Sequence, residues 1–224
     1  MTTSQDTLAQ WLAQSTAVRA RLIEGGGKPG VATPDHFIGK TGLEQMQAML
    51  SGGMPYPHIA ETLDFALVEI EAGKAVFQGT PQLKHYNPMG SVHGGWYATL
   101  LDSAVGCAVH TMMPVGRGYT TAELSVNIVR AASHKTGPLR AIGTVIHCGK
   151  QLATAEGRIV GPDGKLYAHA TTTCLVLEVP YHGQSSCLTA GRDHYGQCVL
   201  FEHPQCSGSG QSCLMFERLE WAIS

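Results

Sequence analysis

The sequence predicts an α+β fold in which an antiparallel sheet wraps around one long helix. Two patterns point to it. Apolar residues recur at every second position between residues 64 and 80 and again in four runs after residue 120, the period of strands with one buried face. Between them lies one long apolar stretch, Gly94–His110, rich in Ala and Leu, which reads as a helix with its N-terminus at the glycines. No helix separates the later strands, so the βαβ alternation of a dinucleotide-binding fold is excluded and the single helix must cover the sheet.

The elements follow in order. Leu8, Trp11, Leu12, Ser15, Val18 and Leu22 recur at intervals of three and four, predicting a peripheral amphipathic helix that ends at Gly25, Gly26 and Gly27. Thr41 followed three residues later by Glu44 has the spacing of a capping box. It opens a second helix with Leu43, Met46 and Leu50 on one face and Gly52 and Gly53 as its stop. Pro55 and Pro57 then impose extended backbone. Phe65, Leu67 and Glu69 alternate with Ala66, Val68 and Ile70, and after a break at Gly73 the pattern resumes from Lys74 to Thr80, a strand pair. An irregular segment leads to about residue 93.

Beyond the long helix, Ala122, Leu124, Val126 and Ile128 alternate with Thr121, Glu123, Ser125 and Asn127. Further strands are predicted near 138–147, 151–160 and 166–178, joined by turns at Gly149-Lys150 and Gly161-Pro162-Asp163-Gly164. The organisation is a helical extension over residues 1–40, a principal domain over 41–180, and a Cys- and His-containing extension over 181–224 that is expected to be poorly structured.

Fifteen Lys and Arg against seventeen Asp and Glu leave a net charge of -2, too balanced to hold nucleic acid by charge. No apolar run approaches the ~18 residues of a membrane span, and the start, MTTSQDTLAQWLAQ, lacks the pattern of a secretory signal, so a reducing cytoplasmic setting is expected. Seven cysteines are unevenly placed: Cys107, Cys148 and Cys174 are scattered, whereas Cys187, Cys198, Cys206 and Cys213 crowd the end. With His182, His194 and His203 these last four form a zinc set on paper, but the intervals are wide and irregular, and no metal or other cofactor is expected.

Chemistry concentrates around the long helix. Asp102 is the only Asp, Glu, Lys or Arg between Lys84 and Arg117, and its neighbours one turn away, Ala98 and Gly106, are small. A carboxylate in so apolar a helix is costly unless it is hydrogen-bonded or has a function, and both readings stay open. Asn87-Pro88-Met89-Gly90-Ser91-Val92-His93-Gly94-Gly95 ends where the helix begins. Free N–H groups and the positive end of the dipole meet there, and two glycines let a carbonyl oxygen approach, as an oxyanion hole requires. The alternative is that the glycines only turn the chain tightly. Gly94 and Asp102 are eight residues apart, roughly 12 Å along one helix axis. That is too far for both to touch one carbonyl, so cooperation requires two chains packed about a two-fold axis, and a dimer is expected.

Asn87, the His93-Gly94-Gly95 triplet, Asp102 nine residues after His93, and the run Thr120-Thr121-Ala122-Glu123-Leu124-Ser125-Val126-Asn127 resemble the PaaI-like acyl-CoA thioesterases of the hotdog-fold superfamily, over roughly residues 40–180. The resemblance implies a hotdog fold and hydrolysis of acyl-CoA, with Asp102 as nucleophile or general base and the Gly94 N–H polarising the thioester carbonyl. It also implies that Asn87 places the water or the carboxylate, that His93 buttresses the turn, and that Thr121 sets a hydroxyl near the acid. Gly95, Trp96, Met89 and Leu101 are candidates for contact with the acyl group, joined by Tyr97, with the core as the alternative place for the apolar side chains of the helix. Arg130 is the candidate for the CoA phosphates, with Lys135, Arg140 and Lys150 beside it. Ala131-Ala132 departs from the pattern, since relatives often carry proline there. The partners expected are acyl-CoA and further copies of the chain, as a dimer or a dimer of dimers, with no nucleic acid and no membrane. A non-catalytic acyl-CoA binding or sensing protein and a hotdog hydratase or dehydratase are the alternatives.

Overall fold

A computed structural model describes residues 3–179 and the backbone of residues 188–192 and 198–202. Residues 1–180 form one compact unit and residues 181–224 another. The first begins with α1 (Ser4–Glu24), α2 (Gly42–Ser51) and α3 (His58–Thr62), followed by the hairpin β1 (Phe65–Glu71) and β2 (Lys74–Gly79). Next come α4 (Gly94–His110), β3 (Arg117–Ile128), β4 (Leu139–Cys148), β5 (Leu152–Val160) and β6 (Leu166–Glu178). The six strands form one antiparallel sheet in the order β1-β2-β4-β5-β6-β3, and α4 packs against every one of them. This is the hotdog arrangement: the sheet wraps the one helix that is apolar on nearly every side.

Local chemistry sets the helix limits. Thr3 and Asp6 form the capping box of α1, and Thr41 and Glu44 form that of α2, each satisfying two orphan backbone donors. α2 stops at Gly52, whose φ of 85° is left-handed. The one-turn helix α3 follows Pro57, where extended backbone was expected; five residues are too few to show a helical period in the sequence. β3 starts four residues before Thr121 because Arg117 to Thr120 continue the ladder with Leu175 to Glu178 of β6.

α4 lies unusually close to the sheet. Trp96, Tyr97, Leu100, Leu101, Ala104, Val105, Ala108 and Val109 are all buried, as a helix apolar on all sides requires. Two strand glycines admit it. A Cβ on Gly143 of β4 would fall 2.2 Å from the Ala104 carbonyl oxygen, and one on Gly157 of β5 would fall 2.7 Å from Val105 Cγ1.

α1 is fixed to the sheet by a buried arginine. Arg140 of β4 donates from Nε to Gln78 (3.0 Å), from Nη1 to Glu69 (3.0 Å) and from Nη2 to Gln14 of α1 (2.9 Å). Its guanidinium carbon stands 4.5 Å from the ring centre of Trp11, also on α1. Burial pulls the Arg140 pKa down and Glu69 opposes it. Arg140 therefore holds a helix in place and does not offer its charge to CoA phosphates.

The second unit contains an antiparallel pair, β7 (Leu188–Arg192) and β8 (Cys198–Glu202). His182, Cys187, His194, His203, Cys206, Cys213 and the side chain of Cys198 lie outside the described residues. Among the described residues no helix is long and apolar enough to cross a membrane.

Candidate active site

The loop before α4 is shaped by Asn87 and closed by His93. The Asn87 side-chain oxygen accepts the N–H groups of Met89 (3.0 Å) and Ser91 (3.2 Å), and its amide donates to Ser91 Oγ (3.0 Å). Asn87 thus folds the turn that carries Met89, which is 89% exposed. His93 is the N-cap of α4: its Nδ1 accepts the Gly95 N–H at 2.9 Å and its carbonyl accepts the Trp96 N–H at 3.0 Å. Among the described residues nothing accepts the Gly94 N–H. The first turn of α4 therefore presents one free donor at its positive end, beside a residue with no side chain. The nearest wall is Ile128, whose Cδ1 would stand 3.3 Å from a Cβ on Gly94.

Asp102 lies two turns further along α4, half-buried, and faces β3. Thr121 Oγ1 donates to Asp102 Oδ1 at 3.2 Å. The aim of Thr121 comes from a bulge. The β3–β6 register pairs Thr121 with Cys174 and Glu123 with Thr173, so Ala122 is an extra residue that twists the strand beside the acid. Tyr119, one strand period before Thr121, lays its ring on α4 one turn beyond Asp102. There Gly106 leaves room: a Cβ at that position would fall 2.7 Å from the Tyr119 hydroxyl.

Three protonated groups surround the carboxylate. The Cys107 thiol is pushed up to about 12 by burial and by the Asp102 charge. Burial raises Tyr119 well above its ordinary range, with Cys107, Cys174 and Asp102 adding to the effect. Cys174 is raised by burial first, against hydrogen bonds from Thr172 and Thr121. The sequence reading missed Tyr119, Cys107 and Cys174. Gly106, one turn after Asp102, was the visible trace of Tyr119.

The remaining candidates are dispersed. Trp96 and Leu101 are buried in the core of the single chain, and Trp96 Nε1 donates to the Leu63 carbonyl at 3.0 Å. Tyr97 is buried too, its hydroxyl accepting the Ala132 N–H at 2.7 Å. Gly95 is exposed beside His93. Arg130 is exposed just past Ile128, with Nε donating to the Leu166 carbonyl at 3.3 Å.

Residues 89–168, which hold the Gly94 donor, Asp102 and Thr121, match the family model of the thioesterase superfamily. Over those residues the chain is similar to that superfamily. Among its relatives, the 1,4-dihydroxy-2-naphthoyl-CoA hydrolase of Listeria monocytogenes is 28% identical over 118 residues, 53% of this chain and 94% of that protein. A phenylacetic acid degradation-related protein of Ralstonia eutropha is 29% identical in structural alignment. Its TM-score is 0.53, and the alignment covers 58% of this chain and 97% of that one. The PaaI protein of Escherichia coli, 23% identical with a TM-score of 0.50 over 55% of this chain and 88% of its own, shares the fold. The thioesterase is thus a PaaI-like hotdog protein and a thioester hydrolase, extended by α1 to α3 and by the unit after residue 180.

Proposed function

We propose that two copies of this thioesterase hydrolyse acyl-CoA at two equivalent sites, each pairing the Gly94 N–H of one copy with the Asp102 carboxylate of the other. The observation that carries this reading is the separation on α4. The free donor and the carboxylate are eight residues apart, roughly 12 Å along the axis, so neither can serve the other within one chain. β3 supports the pairing. It is a sheet edge twelve residues long, and from Gly118 to Ile128 its only charged residue is Glu123. Such an edge lacks the lysines and prolines that normally block strand addition, so a second copy has an open edge on which to align.

The thioester carbonyl sits on the Gly94 N–H, where the helix dipole favours the oxyanion. Asp102 either attacks the carbonyl carbon, giving a mixed anhydride that water then opens, or takes a proton from a water that attacks instead. In both routes the C–S bond breaks and CoA leaves as a thiolate that needs little acid assistance. Thr121 fixes one Asp102 oxygen and leaves the other for the reaction. Arg130, two residues beyond the Ile128 that lines Gly94, offers its remaining N–H groups to a CoA phosphate. Asn87 acts through the shape of the loop.

The test is CoA release from a panel of aryl-, short- and long-chain acyl-CoAs, with Asp102→Asn beside the wild type. Aryl thioesters head the panel because the Listeria relative is named for one. The expected result is turnover of at least one substrate and a loss of about 10²- to 10⁴-fold in Asp102→Asn. Binding of acyl-CoA without turnover by the wild type would replace hydrolysis with a binding role.

A further inference from the structure

On the edge of the sheet opposite β3, beside the first turn of α4, where His85 stacks on Trp96, the N-terminal helices and the β1–β2 hairpin form a half-open cavity of about 310 Å³, at the small end of the range for ligand pockets, ~300–1,000 Å³. Leu22 and Ile23 of α1, Met49 of α2, Tyr56, Phe65 and Phe77 supply an apolar lining, Asp64 and Glu61 are its carboxylates, and Arg19 is its cation. Three features of Asp64 and its surroundings set the polar end of the cavity. Asp64, just past the C-cap of α3, is the one non-glycine residue with positive φ among the described residues, at 53°, a conformation that Asp adopts more readily than most residues and that ends the helix here. Its Oδ2 is buried and ion-paired with Lys84 Nζ at 2.7 Å. Behind it, His85 is buried with its Nε2 unbonded, 3.5 Å from the same oxygen.

The chemistry of these groups defines the ligand. The Gln82 N–H donates to His85 Nδ1 at 3.1 Å, so the proton of the neutral ring is on Nε2, directed at Asp64. Lys84 and His85 together hold Oδ2 in place. Oδ1 has no protein donor among the described residues, which makes it the acceptor available to the cavity. Lys84 balances the charge of Asp64, and exposed Arg19 and Glu61 bring one charge of each sign to the lining, so there is no net charge for a cation to answer and a neutral donor suits the site. We propose that this cavity binds a small hydroxylated apolar molecule, an aromatic or aliphatic alcohol whose body fills the apolar lining and whose O–H donates to Asp64. The site lies at the β1 edge behind the start of α4, whereas Asp102 faces β3 at the other edge, and it does not depend on thioester chemistry. It is built largely by elements outside the family-matched residues.

The full chain is titrated with 2-naphthol, followed by its fluorescence, and in parallel with 2-methoxynaphthalene, which keeps the body but cannot donate. The expected result is saturable binding of 2-naphthol, with the methyl ether weaker by about ten- to a hundredfold, the range for a hydrogen bond to a charged group. Asp64→Gly abolishes the preference for 2-naphthol while still binding 2-methoxynaphthalene as the wild type does, which shows that the cavity stays folded, since glycine adopts positive φ freely. Ile23→Trp, at a lining position that is 74% exposed, blocks both probes in a folded protein. Asp102→Asn binds 2-naphthol like the wild type. Equal binding of the two probes, an unchanged preference for 2-naphthol in Asp64→Gly, or loss of binding in Asp102→Asn each overturns the proposal. The last outcome would place the probe in the thioester site.

Discussion

Thr121 and Asp102 are joined across the gap between an edge strand and the central helix: the threonine hydroxyl donates to the carboxylate at 3.2 Å, at the point where a bulge turns β3. A hydrogen bond to a charged group contributes about 1.5–3 kcal/mol. Thr121→Val is therefore expected to lower kcat by about ten- to a hundredfold with little change in KM, and Thr121→Ser to recover most of the loss. A valine variant with wild-type kcat would confine Thr121 to packing. Steady-state kinetics on the best substrate of the acyl-CoA panel checks this.

Gly94 can lose its N–H without losing its helix. It is the first residue of α4, where proline is well tolerated, and the preceding His93 has φ -62° and ψ 139°, values compatible with a following proline. Gly94→Pro removes the free donor and is expected to cut kcat by about 10²- to 10³-fold. Gly94→Ala adds the same contact with Ile128 but keeps the N–H, so it should lose much less. Co-expression of Gly94→Pro with Asp102→Asn should restore about a quarter of wild-type activity, because half the dimers then carry one intact composite site. No recovery in mixed dimers would show that each chain works alone.

Stability should fall on both sides of neutrality. Burial depresses the pKa values of His85 and His110 below 6.5; for His85, Asp64 opposes the shift and Lys84 reinforces it. Groups shifted down contribute stability that is present above about pH 6.5 and is lost as pH falls through their folded pKa values. Cys107 is shifted up, from 9.0 to about 12, so its contribution is complete below pH 9 and is lost as pH rises towards 12. Melting temperatures measured across this range should show a plateau between about pH 6.5 and 9. His110→Gln, which keeps a neutral side chain near Gln45, should soften the acid limb.

Gly143→Ala tests the close approach of helix to sheet. The new methyl group would fall 2.2 Å from the Ala104 carbonyl oxygen, a backbone atom that cannot move aside cheaply. Overpacking of this kind costs about 1–3 kcal/mol, which corresponds to a fall in melting temperature of roughly 2–12 °C for a domain of this size. Calorimetry of the variant measures it.

The sequence made α4 legible at both ends, because an apolar run bounded by paired glycines and a final His has no strand period and is too long for a turn. The hairpins were equally clear, since alternation and glycine turns are local signals. What escaped was non-local. The bulge that aims Thr121 depends on β6, about fifty residues away, and nothing in Thr120-Thr121-Ala122 announces it. Arg140 looks like a surface charge on an alternating strand, yet its partners Gln14, Glu69 and Gln78 come from distant elements and bury it. For Trp96 and Leu101 the sequence allowed both a substrate wall and the core, and a helix enclosed by its own sheet buries them in the core of the single chain.

The buried guanidinium also determines how the molecule can be cut. A piece reduced to the family-matched residues 89–168 would keep Arg140 but lose Trp11, Gln14, Glu69 and Gln78, every group that compensates its burial. The cation would either stay uncompensated against the sheet or pull β4 open towards water, and losing the partners of a buried charge costs about 3–5 kcal/mol. α1 is therefore no detachable appendage: shortening this enzyme to the minimal hotdog would leave an unpaired positive charge where the common core ends.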